Sequence, residues 1–357
     1  MRAPLFKSLL LTCTLLATTI TASPGDWLDE FIDCKIVCDS KNRCPAKEEP
    51  LEPYSNSFPQ DYTKFEKVPF VYKTVFLWDC NDDCDYQCQQ LVTQLRIAKN
   101  EEIYQFHGKW PFIRMFGMQE FFSAIFSIGN LIPHYKGFRR LERELWKPSV
   151  RNSRYKRILQ NYQIVSVMGM CAWLSSTVFH TRDLITTEKF DYFFAGATVC
   201  TAFYAIVMRL LISEYAKYEK QISKIGGIVV SAIFACHILR LYIDWSYTYN
   251  MRFNIFFGVL QYVILISLAV KNYFQYGLSL KNFKTDRDFQ KVVLVPVLLV
   301  LSTCAGMSFE IFDIFMYNLQ IDSHALWHLA TILPSFWLYS FFIEDFYKMV
   351  QHKSKVM

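Results

Sequence analysis

Residues 252–271, RFNIFFGVLQYVILISLAVK, decide the fold class of this chain. A helix needs about twenty mostly apolar residues to cross the hydrocarbon core of a bilayer, and this run supplies them. Further apolar segments of similar length occur at residues 112–133, 160–180, 190–211, 225–243, 292–312 and 324–343. Together they predict an all-α integral membrane protein, built as a seven-transmembrane helix bundle.

The first 22 residues have the layout of a secretory signal. A basic start is followed by an apolar stretch from Leu9 to Ile20 and by small residues around Ala22. We predict cleavage near Ala22, which places the next segment in the lumen of the secretory pathway. The alternative is an uncleaved anchor, but the apolar stretch is short and diluted by polar residues.

The predicted luminal segment, residues 23–111, is rich in cysteine and contains an irregular loop over residues 42–73. An even number of cysteines in an oxidising compartment predicts a disulfide framework, most simply of three bridges, with the pairing left open. A zinc site is the competing interpretation, and the lack of a C-x-x-C pair favours disulfides. The six cysteines are Cys34, Cys38, Cys44, Cys80, Cys84 and Cys88.

The net charge of +6 does not indicate a nucleic-acid partner, because the basic residues follow the expected membrane orientation. With a luminal amino terminus, the cytosolic loops and tail carry twenty Lys and Arg residues, against two in the luminal loops. Positive residues accumulate on the cytosolic side of membrane proteins. The asymmetry therefore predicts a luminal amino terminus, a membrane domain over residues 112–343 and a cytosolic tail over residues 344–357.

The tail contains Lys353 and Lys355, at the fifth and third places from the carboxyl terminus respectively. This spacing is similar to the dilysine retrieval signal of endoplasmic reticulum membrane proteins, which must face the cytosol. We therefore predict a multi-pass protein of the endoplasmic reticulum membrane.

Ionisable side chains gather at three predicted span ends that share the luminal side. Such groups are costly within a membrane and by default mark function. The second span ends with Ser176 and His180, the third begins with Asp191, and the seventh begins with His324 and His328. We take these five residues as the candidate site.

The spacing of the histidines predicts a metal site. His324 and His328 are four residues apart, so their imidazoles lie on one helix face and can share one ion. Three imidazoles with an open position for water are typical of catalytic zinc, and Asp191 would then take the proton of that water. The alternative is that these histidines are interfacial anchors. The third histidine, Asp191 and the shared side of the membrane favour the zinc site.

Other polar residues have weaker claims. His237, with Arg240 and Asp244, is interpreted as a structural polar set between helices. His107 and Trp110 suit an interfacial belt before the first span. Glu120, Glu310 and Asp313 are candidates for outer groups around the site, a role that the sequence leaves open.

At the five candidate residues the chain resembles a superfamily of membrane hydrolases that includes alkaline ceramidases and adiponectin-receptor-like proteins. That group carries Ser-x-x-x-His in the second span, Asp at the start of the third and His-x-x-x-His in the seventh. Within it, the chain most resembles the fungal protein-processing-in-the-ER family, the counterpart of the animal post-GPI-attachment lipid-remodelling factor. The matching stretches are residues 23–26, 79–88, 102–112, 132–137, 244–250 and 322–328.

This resemblance implies an enzyme that removes the sn-2 fatty acid from the phosphatidylinositol of GPI-anchored proteins, a phospholipase A2 reaction within membrane lipid. In that hypothesis His180, His324 and His328 hold zinc and Asp191 is the base. Ser176 donates to an oxyanion or orients water. A covalent nucleophile is the alternative role for Ser176.

The competing classes are a ceramidase-like amide hydrolase, a receptor with a vestigial site, and a non-catalytic assembly or quality-control factor for GPI-anchored proteins. A receptor is expected to lack the stapled luminal segment and the retrieval-like tail. A ceramidase usually lacks the six-cysteine segment.

Overall fold

The computed structural model describes residues 23–45, 56–280 and 285–356, so the predicted signal over residues 1–22 lies outside the described part. The chain forms two compact units, residues 1–113 and residues 114–357. We call them the N-terminal unit and the helical unit.

The described part of the N-terminal unit contains helices α1 (Asp29–Asn42), α2 (Phe70–Val75) and α3 (Cys80–Ala98). The side chain of Asp79 accepts a hydrogen bond from the backbone N–H of Asp82, which caps the start of α3. Helix α1 ends at Arg43, whose left-handed backbone (φ 54°) stops the helix.

Disulfides hold α1 and the residues after it against α3. Cys34 and Cys38 lie four residues apart on α1, as do Cys84 and Cys88 on α3, so each pair shares one face and the two helices are joined in antiparallel order. Loop closure makes each bridge worth about 4 kcal/mol when considered alone. The prediction of three bridges is confirmed, and the bonded pairs are Cys34–Cys88, Cys38–Cys84 and Cys44–Cys80.

His107 joins distant parts of the N-terminal unit. Its Nε2 lies 3.0 Å from Oδ2 of Asp85, and its backbone N–H donates to Oδ1 of Asp26 at 2.7 Å. Asp85 also pairs with Lys35 at 2.7 Å. His107 thus ties the first turn of the unit to α3, a contact that the interfacial interpretation missed.

Seven helices of 18 residues or more are described in the helical unit. They continue the numbering from α4 to α10, and six of them, α5 to α10, contain a stretch long and apolar enough to cross a membrane. The helices are α4 (Phe121–Trp146), α5 (Lys156–Thr181), α6 (Ile185–Glu214), α7 (Glu219–Ile243), α8 (Tyr247–Gln275), α9 (Val295–Phe312) and α10 (Ser323–Val356).

The predicted first span, residues 112–133, differs most from the structure. Helix α4 begins only at Phe121, because residues before it form a turn with left-handed Phe116 and Gly117. Polar residues such as Asn130 and His134 then dilute the apolar character of α4. Six helices in the described part of the chain therefore have the length and composition to cross a membrane, and the seventh span stays a prediction.

Close packing joins α4, α5 and α10. The ring of Tyr162 on α5 stacks on Phe342 of α10, with centroids 3.8 Å apart. Gly137 and Gly169 lie directly against the rings of Tyr339 and His134, where any Cβ would collide. Small residues let membrane helices approach closely, and these glycines serve that purpose.

A buried ion pair holds the other end of the bundle. Arg209 on α6 donates through Nε to Oδ2 of Asp345 on α10 at 2.5 Å, and neither side chain is more than 2% exposed. Asn272 on α8 donates to the same carboxylate at 2.9 Å. Three helices are thereby linked at a level far from the candidate site.

A short β-hairpin with strands of two residues each precedes α10. Strands β1 (Phe315–Met316) and β2 (Ile321–Asp322) are antiparallel, with Phe315 opposite Asp322. The backbone N–H of Ser323 donates to the carbonyl of Ile314 at 2.8 Å. The hairpin thus fixes where α10 begins.

Candidate metal centre

Three histidines meet where α5 ends and α10 begins. His180 lies in the last turn of α5, and His324 and His328 lie in the first two turns of α10. Each offers a ring nitrogen, and these three atoms lie within 4.8 Å of one another. The Nε2 atoms of His324 and His328 are 3.0 Å apart. The structure therefore brings together the three predicted ligands.

The end of α5 is fixed by the start of α4. The backbone N–H of Glu120 donates to the carbonyl of His180 at 2.9 Å, and that of Gln119 donates to Thr181 at 3.0 Å. Carbonyls in the last turn of a helix lack partners within the helix. The loop before α4 supplies those partners and so holds His180 in place.

The start of α10 is fixed by Asp322. Its Oδ1 accepts a hydrogen bond from the backbone N–H of Ala325 at 2.8 Å, and burial raises the pKa of its carboxyl to about 6. Asn130 on α4 donates to the carbonyl of His328 at 2.6 Å. The backbone that carries the two α10 histidines is thus held at both turns.

Each histidine has a hydrogen-bond partner at Nδ1, the ring nitrogen that faces away from the shared metal position. We call these residues outer partners. His180 Nδ1 lies 2.7 Å from Oε2 of Glu120, and His324 Nδ1 lies 3.0 Å from Oε2 of Glu310. Metal-binding histidines usually present one nitrogen to the ion and donate the other N–H to a carboxylate, carbonyl or water. The two carboxylates therefore favour Nε2 as the ligand atom.

His328 has a hydroxyl partner instead of a carboxylate. Its Nδ1 lies 2.9 Å from Oγ of Ser127 on α4. Asn130 and Ser127 lie three residues apart on α4, so both face α10. The sequence interpretation missed both residues, although their spacing on the first polar-diluted segment would have placed them on one face.

The geometry and charge of the cluster suit a divalent metal. Tetrahedral zinc with Zn–N bonds near 2.0–2.1 Å sets its nitrogen ligands about 3.4 Å apart, close to the observed 3.0 Å between two Nε2 atoms. Glu120 and Glu310 bring two acidic groups next to three imidazoles. A divalent cation would balance these two charges at a site where His180 and His328 are 2% and 1% exposed.

The predicted hydroxyl lies beside this cluster. Ser176 is one turn before His180 on α5 and is buried, and its Oγ lies 3.1 Å from Oγ of Ser127. Ser176 is therefore linked to His328 through one intermediate hydroxyl. The structure brings four of the five predicted site residues together by direct or single-step contacts.

Asp191, the predicted base, lies in the second turn of α6 and is half-buried. The hydrogen bonds that define the cluster come from α4, α5, α9 and α10. The role of Asp191 as a base stays a prediction.

Of the other polar residues named from the sequence, some contact the histidine cluster and others lie elsewhere. Glu120 and Glu310 are outer partners, whereas Asp313 is exposed at the left-handed end of α9. His237 is buried and stacks on Phe253 of α8 with centroids 3.7 Å apart, which fits a packing role between helices.

The fold and site define a helical membrane protein with a three-histidine cluster of metal-ligand geometry at one end of its bundle. The chain belongs to the Per1-like family, whose model matches residues 70–346, and the predicted resemblance is confirmed. No solved structure matches the chain.

Similarity to related proteins extends over almost the whole chain. Protein PER1 of Saccharomyces cerevisiae is 52% identical, covering 97% of this chain and 98% of that protein. Protein PER1 homolog of Schizosaccharomyces pombe is 33% identical over 94% of this chain and 91% of its own length. GPI-specific phospholipase A2-like PGAP3 of Xenopus tropicalis is 31% identical, covering 92% of each chain.

Proposed function

We propose that this protein remodels the lipid of GPI anchors, as a zinc-dependent hydrolase of the sn-2 acyl ester of their phosphatidylinositol in the endoplasmic reticulum. The observation that carries this proposal is the cluster of His180, His324 and His328, with an outer partner at each Nδ1. The name of the Xenopus tropicalis relative, GPI-specific phospholipase A2-like PGAP3, supports the choice of substrate.

A seven-span orientation with a luminal amino terminus belongs to the proposal. Helix α4 has 26 residues, enough to span a bilayer by length, and it packs directly on α5 and α10. The cytosolic side would then carry the basic loops and the end of α10. Lys353 lies on that final helix with its Nζ 3.4 Å from Oε2 of Glu214.

In the proposed orientation, the cluster would lie at the depth of the proposed substrate. The ligands lie in the terminal turns of α5 and α10, so they sit near one membrane surface when these helices span the bilayer. An acyl ester of a phospholipid lies at the same depth, next to the glycerol backbone. A site at the helix ends therefore suits an ester in the luminal leaflet.

Zinc would be held by Nε2 of His180, His324 and His328, with Glu120, Glu310 and Ser127 holding the rings. When bound, it would supply Lewis-acid polarisation of the ester carbonyl and acidify water. The protein's own residues do the remaining work of orienting the rings, positioning the ester and moving protons.

Asp191 is proposed to accept the proton from the attacking water and to return it to the departing alcohol oxygen. A carboxylate performs this task when it reaches the water in the substrate complex. Ser176, buried next to Ser127, is proposed to act on the water or on the developing oxyanion by hydrogen bonding.

The experiment is hydrolysis of a GPI-anchored protein by purified enzyme, with release of the sn-2 fatty acid measured alongside zinc content. Replacing any of the three histidines by Ala should abolish hydrolysis and lower bound zinc. Asp191→Asn should keep zinc and slow hydrolysis by roughly 100-fold or more. Ser176→Ala should cost about 2–4 kcal/mol in activation free energy if its hydroxyl serves the oxyanion, and less otherwise.

Three results would contradict the proposal. Normal fatty-acid release by the histidine variants would refute the zinc-dependent mechanism. No fatty-acid release by the parent chain would favour a non-catalytic role in the assembly of GPI-anchored proteins. Release of fatty acid from ceramide in preference to the GPI lipid would favour an amide hydrolase.

A further inference from the structure

The hydroxyl of Ser127 lies at the centre of a hydrogen-bond cluster that joins three helices. Its Oγ is 2.7 Å from the carbonyl of Ser123, 3.1 Å from Oγ of Ser176 and 2.9 Å from Nδ1 of His328. Ser127 is 0% exposed, so water does not compete for these contacts. The positions of the protons are therefore set by the protein alone.

The donors and acceptors of this cluster can be assigned by counting. A hydroxyl has one proton to donate and two lone pairs that accept. The carbonyl of Ser123 only accepts, and its contact with Ser127 is the shortest of the three, so it takes the proton of Ser127. The other two partners, Ser176 and His328, must then donate to Ser127.

From this geometry we infer that Ser127 is a positioning residue that fixes two protons at the site. It holds His328 in the tautomer with its proton on Nδ1, which leaves the lone pair of Nε2 directed at the histidine cluster. It also turns the hydroxyl proton of Ser176 away from the cluster, so that Ser176 offers lone pairs there. The inference rests on the proposed function, because it concerns the same site.

A specific role for Ser176 follows. A hydroxyl that presents lone pairs accepts a proton-bearing partner, such as the attacking water, and does not donate to an oxyanion. Its proton is also held by Ser127 and is not directed at a base, which disfavours a covalent nucleophile. Ser176 thus orients water, one of the two roles that the sequence left open.

Ser127→Ala tests the first part of the inference. Loss of an outer partner typically weakens metal binding about 10–100-fold, so the zinc dissociation constant should rise by that factor. Ser123→Ala is the matched control, because its buried Oγ has no hydrogen-bond partner within the described residues and lies one turn earlier on α4. The control should bind zinc like the parent chain.

Ser127→Thr separates hydrogen bonding from shape. Threonine keeps a hydroxyl that can donate to the carbonyl four residues earlier, so zinc affinity should stay within about threefold of the parent value. If Ser127→Ala does not fold, this variant decides alone. Zinc retention would support the inference, and a tenfold loss would overturn it. Equal zinc affinity in Ser127→Ala and Ser123→Ala would overturn it as well.

Ser176→Ala tests the second part. It removes a donor to Ser127 but leaves His328 with its acceptor, so zinc affinity should stay within about threefold while hydrolysis slows. A zinc loss equal to that of Ser127→Ala would overturn the proton assignment. Zinc titrations need no substrate, so a chain that binds zinc as described but leaves GPI lipid intact would refute the proposed reaction and not this inference.

Discussion

Glu120→Gln is the most informative single change at the site, because it alters one charge and almost no volume. Glu120 Oε2 lies 2.7 Å from Nδ1 of His180, and the two side chains are 5% and 2% exposed. Glutamine keeps an oxygen that accepts from Nδ1–H but removes the negative charge. The orientation of the ring is thus partly kept, and its electrostatic support is lost.

The expected effect is a 10–100-fold weaker zinc affinity. At about 1.4 kcal/mol for each factor of ten, this corresponds to about 1.4–2.8 kcal/mol of binding free energy. Glu310→Gln should lie at the low end of that range. His324 and Glu310 are 33% and 20% exposed, so water can replace part of the lost interaction.

The assay is zinc competition with a chromogenic chelator on protein purified in detergent. Glu142→Gln is the matched control, since Glu142 lies on α4, the helix that Glu120 precedes, and pairs with Arg139 at 2.8 Å near the surface. Surface ion pairs contribute little, and this control should not change zinc affinity. Equal zinc affinity in Glu120→Gln and Glu142→Gln would refute the role given to Glu120.

Three further outcomes are expected. Asp345→Ala should destabilise the bundle by about 3–5 kcal/mol in thermal unfolding, because Arg209 is left buried without its partner. Adding Arg209→Met should recover most of this loss. Equal losses of stability in the single and the double variant would contradict this. In the N-terminal unit, the hydrogen bond to Asp85 raises the pKa of His107. Amide protection around residue 107 should therefore be full below pH 6.5 and fall at higher pH. The fall should be under about 1 kcal/mol, because the His107 ring is 53% exposed. Hydrogen exchange corrected for intrinsic rates measures this, and His107→Gln should remove the pH dependence. Changing Lys353 and Lys355 to Ser should let the protein reach later compartments with unchanged activity, and microscopy showing unchanged residence would argue for another retention signal.

The carboxyl of Asp85, the partner of His107, gives the opposite dependence of stability on pH. Burial raises the pKa of Asp85, but the hydrogen bond and charge of His107, together with Lys35, outweigh it and lower the pKa to about 2. A lowered carboxyl pKa stabilises the fold above about pH 4, and this stabilisation is lost as the pH falls toward 2. The interaction is therefore strongest between about pH 4 and 6.5.

Sequence periodicity predicted those features that depend on one segment at a time. Apolar runs located α5 to α10, because each of these helices carries a stretch of membrane-spanning length and composition. The four-residue spacing of His324 and His328 placed both rings on one face. Both inferences need only the geometry of an isolated helix.

Features that depend on two segments were left open or missed. Glu120 and His180 are sixty residues apart, and nothing in the local pattern of either one identifies the other. The start of α4 was placed too early, since the mostly apolar residues 112–118 look like part of the span although Glu120 is held by the end of α5. The disulfide pairing likewise depends on how α1 and α3 face each other, which neither cysteine segment shows by itself.

The two acidic residues have a further consequence for the kind of ion that the site can hold. The three ligands come from the carboxyl-terminal end of α5 and the amino-terminal end of α10, whose helix dipoles bring partial charges of about −0.5 and +0.5 that largely cancel. Neutral imidazoles add no charge. The negative charges in contact with the rings are those of Glu120 and Glu310, and Asp322 lies two residues before His324. The two carboxylates in contact with the rings are balanced by a divalent cation, whereas a monovalent ion would leave one of them uncompensated. The outer carboxylates thus contribute to the choice of metal as well as to the orientation of the rings.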